Sequence, residues 1–455
     1  MKLIVAVITF GSLVASGCGE PEAVTPPELE ACPPMYQQHL LPDYALAIAP
    51  AEWAALDDEF RHRPEREAQG LDPTPYHPAD FTYDDGTQVL TVADVRVRLK
   101  GQSSWAQTLA LDANPKMQFV ISFNEVDPAG RFLGVRKLDL DMPRTDQTFL
   151  RQRLALRYLR EAQIPAQCAN NVRLTINGAY YGLYTNLERF DKEFLQRNFG
   201  VDDDGDLWEG GRIIKTNEDT FSWERLDALW SLTSLAQLEA LGDLDASMAD
   251  WAAESMVGDA DGYSNGRANF YIYDHPTRGF LWLPTDLDTA FDRDFLRPDA
   301  SPLFPPSPGR WERDWHHFLI VMADPGGLAR YVAALADARG RLDVDAAQGE
   351  LDAWRAQIAD AVADDPHRGY GLDAHALAID FSRAYVSERA ASIDAWLACR
   401  QDGGADADAD GVDLCHDCDD HDPTVHPGAT ETCNLRDDDC DGRIDNRVGA
   451  ASCAG

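Results

Sequence analysis

Acidic residues at alternate positions mark the C-terminal end of the sequence as a place for a hard cation. Asp406, Asp408 and Asp410 take the first, third and fifth places of a loop in which Gly411 is sixth and Asp417 twelfth, the spacing at which carboxylate oxygens converge on calcium. The last ligand is Asp rather than a bidentate Glu and no flanking helices are evident, so the spacing predicts a calcium loop outside an EF-hand. A second cluster, Asp437, Asp439, Asp441 and Asp445 with Gly442, repeats the odd-position acids. Copper would instead recruit His416, His421 and His426, because cysteines held in disulfides are not ligands. Oxygen donors favour calcium over copper; a disulfide-stapled acidic spacer without metal is the plainer alternative.

Charge sets this tail apart. Residues 401–455 hold fifteen Asp or Glu and three Arg, a net −12 within a total of −38. So acidic a chain is not suited to nucleic acid, since it lacks the cations that would neutralise phosphates. At the other end, Met1 and Lys2 precede an apolar run, Leu3 to Val14, and then Ala15-Ser16-Gly17-Cys18. That is the pattern of an export signal, too short to span a bilayer as a helix. The small residues before Cys18 resemble a lipoprotein box, with a signal peptide over 1–17, the lipid on Cys18, and a Pro/Glu-rich tether over 18–39. The expected location is the bacterial cell envelope, extracytoplasmic, at the outer membrane or cell surface, with the lipid as the sole membrane contact. Eight further cysteines, an even number in an exported chain, predict disulfides whose connectivity spacing does not reveal.

The elements between these ends divide into two halves. Val89 to Val92, Val95 to Lys100 and Met117 to Phe123 read as strands with one buried face. Asp146 to Gln163 reads as an amphipathic helix with an acidic cap, and Val172–Ile176, Asn177-Gly178 and Tyr180–Leu187 as a hairpin. Helical periodicity then dominates: Ser222–Leu241, Met248–Met256, Trp315–Ala323, Leu328–Ala338, Ala346–Val362 and Ala374–Cys399, interrupted by the strand pair Ala268–Tyr273 and Phe280–Leu283. A sheet-rich lobe followed by a helix-rich lobe predicts an α+β architecture with a cleft between them.

Several segments occur in an order that resembles the CotH kinase-like family: Arg98-Leu-Lys-Gly-Gln-Ser-Ser104, Lys116, Asp146-x3-Leu150-Arg151, Ile176-Asn-Gly-Ala-Tyr-Tyr-Gly-Leu-Tyr184 with Glu188, Asp206-Leu-Trp-Glu-Gly210, Asp261-Gly-Tyr263, Asn269-x-Tyr271-x-Tyr273 and Pro284-x-Asp286-Leu-Asp288. The resemblance covers roughly residues 40–400. It implies an atypical protein-kinase fold and the parts that phosphoryl transfer needs: a lysine on the nucleotide phosphates, carboxylates on divalent metal and a base near the acceptor hydroxyl.

By that resemblance Lys116 would contact the ATP phosphates, and Lys100, Gly101 and Ser103 would form the turn above them, although relatives commonly carry arginine where Lys100 stands. Glu188 would lie at the hinge to the adenine. Asp261 would be the catalytic aspartate, with Asn269, Asp286 and Asp288 holding Mg2+ or Mn2+. Asn265 competes with Asn269, and no ion-pair partner for Lys116 is evident. Thr285 and Asp292 depart from the family pattern. The long segment Arg293–Glu312 is either substrate-facing or a passive connection. Between the two acidic clusters, Cys418-Asp-Asp-His-Asp-Pro423 and Pro427-Gly-Ala-x-Glu431-x-Cys433 resemble the MopE-like metal-binding motif of bacterial surface proteins, for which copper has been proposed in one branch. The expected function is an extracytoplasmic ATP-dependent kinase for Ser or Thr of a surface or secreted protein. The alternative is a catalytically inactive kinase-fold lipoprotein that binds the cell envelope or matrix.

Overall fold

Tyr44, Leu46 and Ile48 alternate inward along the first strand, β1 (Asp43–Ile48), and the same two-residue period runs through the strands that follow. The computed structural model describes residues 32–303, 316–402 and 406–440, apart from Gln102, Pro143, Arg267, Gly411, Asp413, Leu414 and Leu435. Cys18, Asp441 and Asp445 therefore lie outside the described residues.

After β1 come α1 (Pro50–Arg61), α2 (Arg63–Ala68), β2 (His77–Asp84), β3 (Val89–Leu99), α3 (Ser103–Leu111), β4 (Phe119–Ser122), β5 (Lys137–Asp141), α4 (Arg151–Glu161), β6 (Ala169–Ile176) and β7 (Ala179–Glu188). The strands form a closed barrel in the order β1-β2-β3-β4-β5-β7-β6, antiparallel except where β1 meets β6. The single buried face expected of these strands is the barrel's inside, which Phe81, Val97, Phe119, Leu138, Leu140 and Leu183 fill. The Asn177-Gly178 turn holds as expected, both residues in the left-handed region that a two-residue hairpin requires. The Asn177 Oδ1 also accepts the Ile48 N–H at 2.8 Å, tying the hairpin to β1.

The second lobe contains α5 (Lys192–Phe199), β8 (Asp206–Glu209), β9 (Ile213–Ile214), α6 (Trp223–Trp230), α7 (Leu235–Leu241), α8 (Leu244–Val257), β10 (Phe270–His275), β11 (Gly279–Pro284), α9 (His316–Ala323), α10 (Pro325–Arg341), α11 (Val344–Ala363) and α12 (Leu372–Asp402). A four-stranded sheet, β11-β10-β8-β9, sits among the helices. Helix starts are written in side chains: Asp191, Ser222, Ser234, Asp243, Asp324 and Asp343 each accept backbone N–H groups of the first turn. Ser234 explains why the expected helix Ser222–Leu241 is two: its hydroxyl caps a new helix instead of continuing the old one. Trp251, Trp282, Tyr263 and Phe318 form the aromatic centre of this lobe.

The lobes are joined through α11, which packs on β7 and α4, and through the disulfide Cys32–Cys168 the barrel holds its own N-terminal segment. Cys399–Cys415 and Cys418–Cys440 staple the tail to the end of α12 and to itself.

Candidate active site and metal centre

The inward residues of β3 and β5 fix where their polar neighbours point. Val95, Val97 and Leu99 are buried, as are Leu138 and Leu140, so Lys100, Asp139 and Asp141 project from the outer face of the barrel. There the Lys100 ammonium lies 3.5 Å from Asp141 and 3.7 Å from Asp139. Arg189, following β7, donates to Asp139 at 2.9 and 3.2 Å. Burial works against the Lys100 charge, but Asp141, Asp139 and Asp286 outweigh it and raise its pKa above the ordinary lysine value.

Opposite this wall, the segment after β11 carries Asp286 and Asp288. The protein packed around Asp286 pushes its carboxyl above the usual carboxylate range; Asp141 and Asp261 add to this and Lys100 opposes it. Asp286 is itself open to water, which screens part of that effect. Asp288 is raised further, by the surrounding protein and then by Asp286, while it accepts a hydrogen bond from the Thr145 hydroxyl. Acids that repel one another in this way are poised to exchange protons for a divalent cation.

Asp261 is exposed at the other side, and Asn269 reaches it: Nδ2 donates to Asp261 Oδ2 at 3.1 Å and to the Asp286 carbonyl at 3.4 Å. Asn269 and Asp286 both have positive φ, 50° and 54°. For Asp286 this backbone is costly and persists because the surroundings hold it, a kind of strain that clusters at functional sites.

The Asp261 loop is positioned from within. Glu254 on α8, fully buried, accepts the N–H groups of Tyr263 at 3.3 Å and Ser264 at 2.9 Å. A side chain at Gly262 would have its Cβ 2.5 Å from Asp259 and 2.9 Å from Glu254, so only glycine fits between them. Asp259 accepts the Thr289 hydroxyl at 2.6 Å, linking this loop to the segment that bears Asp288. Arg151, at the start of α4, pairs with Asp146 at 3.1 Å and with Asp292. Asp292, a departure from the family pattern, thus anchors the same segment to the barrel lobe.

Two expected nucleotide contacts are placed elsewhere. Lys116 is sealed: its ammonium pairs with Asp365 at 2.6 Å, donates to the Leu183 carbonyl at 2.6 Å, and its side chain is 0% exposed. Asp365 follows α11, too far along the chain for local pattern to reveal it as the partner. Glu188 is equally committed, its carboxylate paired with Arg197 at 2.8 Å and accepting the Cys168 N–H at 3.0 Å inside the protein. Ser103 begins α3, and its side chain lies outside the described residues. Asp141, Asp139, Arg189, Thr145 and Glu254 escaped the sequence reading. The alternation Lys137-Leu-Asp-Leu-Asp141 was the available signal for the first two.

Residues 97–402 match the family model described as CotH kinase protein. The chain belongs to the CotH kinase family. The CotH match begins within β3, so β1 and β2 complete the barrel from outside it. Residues 417–446 match a second model, the metal-binding motif of the Cu-binding MopE type. Among solved structures, the Helicobacter pylori proinflammatory kinase CtkA is similar at 9% identity and TM-score 0.32, covering 61% of this chain and 91% of that one. The Shewanella oneidensis MR-1 complex of HipA, HipB and operator DNA is similar at 14% identity and TM-score 0.28, with 58% of each chain covered. Similarity this low carries no argument about the site. No curated protein matches the chain.

In the tail, beyond the CotH match, oxygen donors gather. Single carboxylate oxygens of Asp408, Asp410 and Asp417, and of Asp406, Asp408 and Asp420, lie within 4.8 Å of one another. Asp420 was absent from the predicted loop; its Oδ1 also accepts the Ala407 N–H at 3.0 Å. Among the described residues no histidine joins these groups: His416 contacts Arg400 at 2.9 Å and His426 contacts the Pro427 carbonyl.

Proposed function

We propose that this protein is an ATP-dependent protein kinase acting outside the cytoplasm on Ser or Thr of a surface or secreted protein, held in the envelope by a lipid on Cys18. The observation that carries the reading is the meeting of Lys100 and Asp141 from the barrel with Asp261, Asn269, Asp286 and Asp288 from the second lobe.

The donor set suits Mg2+ or Mn2+, which prefer carboxylate oxygens. Asp286 and Asp288 would hold the ion, with Asp141 alongside, and the bound metal nucleotide would supply the phosphoryl group. Lys100 offers its charge to phosphate oxygens in place of Lys116. Asp261, exposed and oriented by Asn269, is placed to take a hydrogen bond from an acceptor hydroxyl and then its proton. Purified full-length protein incubated with labelled ATP, Mg2+ or Mn2+ and envelope proteins should transfer label to hydroxyl side chains. No transfer, with no metal-dependent nucleotide binding, would reject the enzyme reading.

The sealing of Lys116 favours a second reading, a kinase fold retained for binding rather than turnover. Nucleotide affinity without transfer would select it.

For the tail, the reading is a hard-cation module, with calcium at Asp406, Asp408, Asp410 and Asp417. Support comes from unpartnered oxygens on Asp408, Asp410 and Asp417, the last 9% exposed. The histidines that copper would require are engaged outside the carboxylate groups or, in the case of His421, exposed.

A further inference from the structure

Lys116 and Asp365 meet in surroundings that do more than neutralise two charges. Both side chains are 0% exposed, and the Lys116 ammonium donates to Asp365 Oδ2 at 2.6 Å. Backbone N–H groups hold the carboxylate from both sides: His367 donates to Oδ1 at 2.8 Å and Leu183 to Oδ2 at 2.9 Å. Aromatic rings close over the amine, with centroids 4.5 Å from Nζ for Tyr184 and 5.2 Å for Phe149. At Gly182 the backbone comes so near that a Cβ would lie 2.7 Å from the nitrogen and from both carboxylate oxygens. No face of the pair is left open to solvent.

We propose that Lys116 Nζ and Asp365 Cγ join in an intramolecular isopeptide bond, a covalent modification that ties the residue leading into β4 to the segment after α11. The proposal goes beyond the kinase reading and does not depend on nucleotide turnover. A sealed ion pair carries the desolvation cost of two charges, and an amide carries neither charge. Burial lowers the Lys116 pKa against the pull of Asp365, which favours passing one proton along the 2.6 Å hydrogen bond to give an amine and a carboxylic acid. The amine lone pair then adds to Cγ and the N–C bond forms. The N–H groups of His367 and Leu183 stabilise the charge that develops on oxygen. One C–O bond breaks, and the departing hydroxyl takes a second proton from the nitrogen and leaves as water. His367, near enough for both charges to act on its imidazole, can carry that proton. Ammonium and carboxylate thus become one amide and one water, without oxidant, reductant or cofactor. Holding the two groups in contact replaces external activation. The product suits the same partners: its N–H keeps the Leu183 carbonyl, 2.6 Å from Nζ, and its oxygen keeps a backbone N–H.

Position gives the bond its consequence. The two residues are 249 apart in sequence, one in the barrel lobe and one in the helical lobe. Among the described residues the disulfides stay within the barrel lobe or bind the tail to α12 and to itself. The isopeptide would join the lobes themselves, and reductant would leave it intact.

Mass spectrometry of the purified full chain, denatured and reduced, tests this. After allowance for the substituted side chain, the native chain should be lighter than Lys116→Met by one water. Trypsin should leave the Lys116–Met117 peptide bond uncut in the native chain, and tandem spectra of the digest should contain a branched peptide joining Lys116 to Asp365. Should Lys116→Met fail to fold, the branched peptide decides by itself, because it is read on the native protein. A native chain of full mass, cleaved after Lys116, overturns the bond and leaves an ion pair. One water missing equally from the native chain and from Lys116→Met also overturns it, because the loss then lies elsewhere.

Discussion

Lys100 stands 3.5 Å from Asp141 at the cleft, whereas Lys116 is closed off with Asp365 in the interior. The two lysines should therefore fail differently. Lys100→Ala should weaken metal-nucleotide binding, by about ten-fold or more for loss of a charge-assisted contact, and lower Tm by less than Lys116→Ala, because Lys100 is partly exposed and Asp139 keeps Arg189. Lys116→Ala should cost about 3–5 kcal/mol of stability, since it leaves Asp365 buried without its partner. Thermal melts with and without nucleotide separate the two; a harmless Lys116→Ala that loses only nucleotide affinity would restore the expected phosphate role.

Gly182 adds an independent check on that interior pair. A Cβ there would sit 2.7 Å from both Asp365 oxygens and the Lys116 ammonium, at φ 148°. Gly182→Ala should lower Tm about as much as breaking the pair, and nucleotide should not rescue it.

Replacing Asp286 or Asp288 by Asn should abolish transfer and metal-dependent ATP binding while the fold survives. Without metal, either variant should be at least as stable as the parent, because an amide removes one of the mutually repelling acids. Calorimetry in the presence and absence of Mg2+ reads both effects, and full Mg2+ response in both variants would remove these residues from the metal site.

Stability should depend on pH in a stated direction. Burial raises the carboxyls of Asp250, Glu254 and Asp259, and Asp288 is raised likewise. A folded pKa above the unfolded one means that the native state holds more protons, so the stability these four groups contribute is fully present below about 4 and is lost as pH rises; the lowered imidazoles of His275, His367 and His375 act in the opposite direction up to about 6.5. The decline should run through about 7, the value to which Glu254 is pushed, and beyond. Glu254→Gln should flatten part of that slope and, by loosening the Asp261 loop, lower kcat more than it changes the KM for ATP. Melting temperatures from pH 5 to 8 in chelator, native chain against Glu254→Gln, check the sign; a difference between the two that does not change with pH would contradict the burial of Glu254 as a protonated group.

Cys18→Ser should move the protein from the membrane fraction to the soluble one, because one lipidated residue is the expected anchor. Among the described residues no single helix is long and apolar enough to cross a membrane. Retention of the variant in membranes would reject lipidation as the attachment.

Local pattern determined a good deal of this protein. The order of family segments, the hairpin at Asn177-Gly178, the helices with capping acids and the odd-position carboxylates of Asp406, Asp408 and Asp410 are all features of neighbouring residues. Short-range sterics and hydrogen bonding enforce such features wherever the chain goes. Tertiary structure decided what depends on distant partners. The barrel closes only when β1 meets β6, and Lys116 finds Asp365 249 positions away. Asp141 becomes part of the site because β5 turns its polar face toward Asp286. Glu431 joins Asp437 and Asp439, one oxygen of each within 4.8 Å of the others, because a loop folds back between them. Burial and charge pairing are properties of the packed molecule, so the same lysine, glutamate or aspartate reads alike in sequence whether it faces a substrate or seals a core.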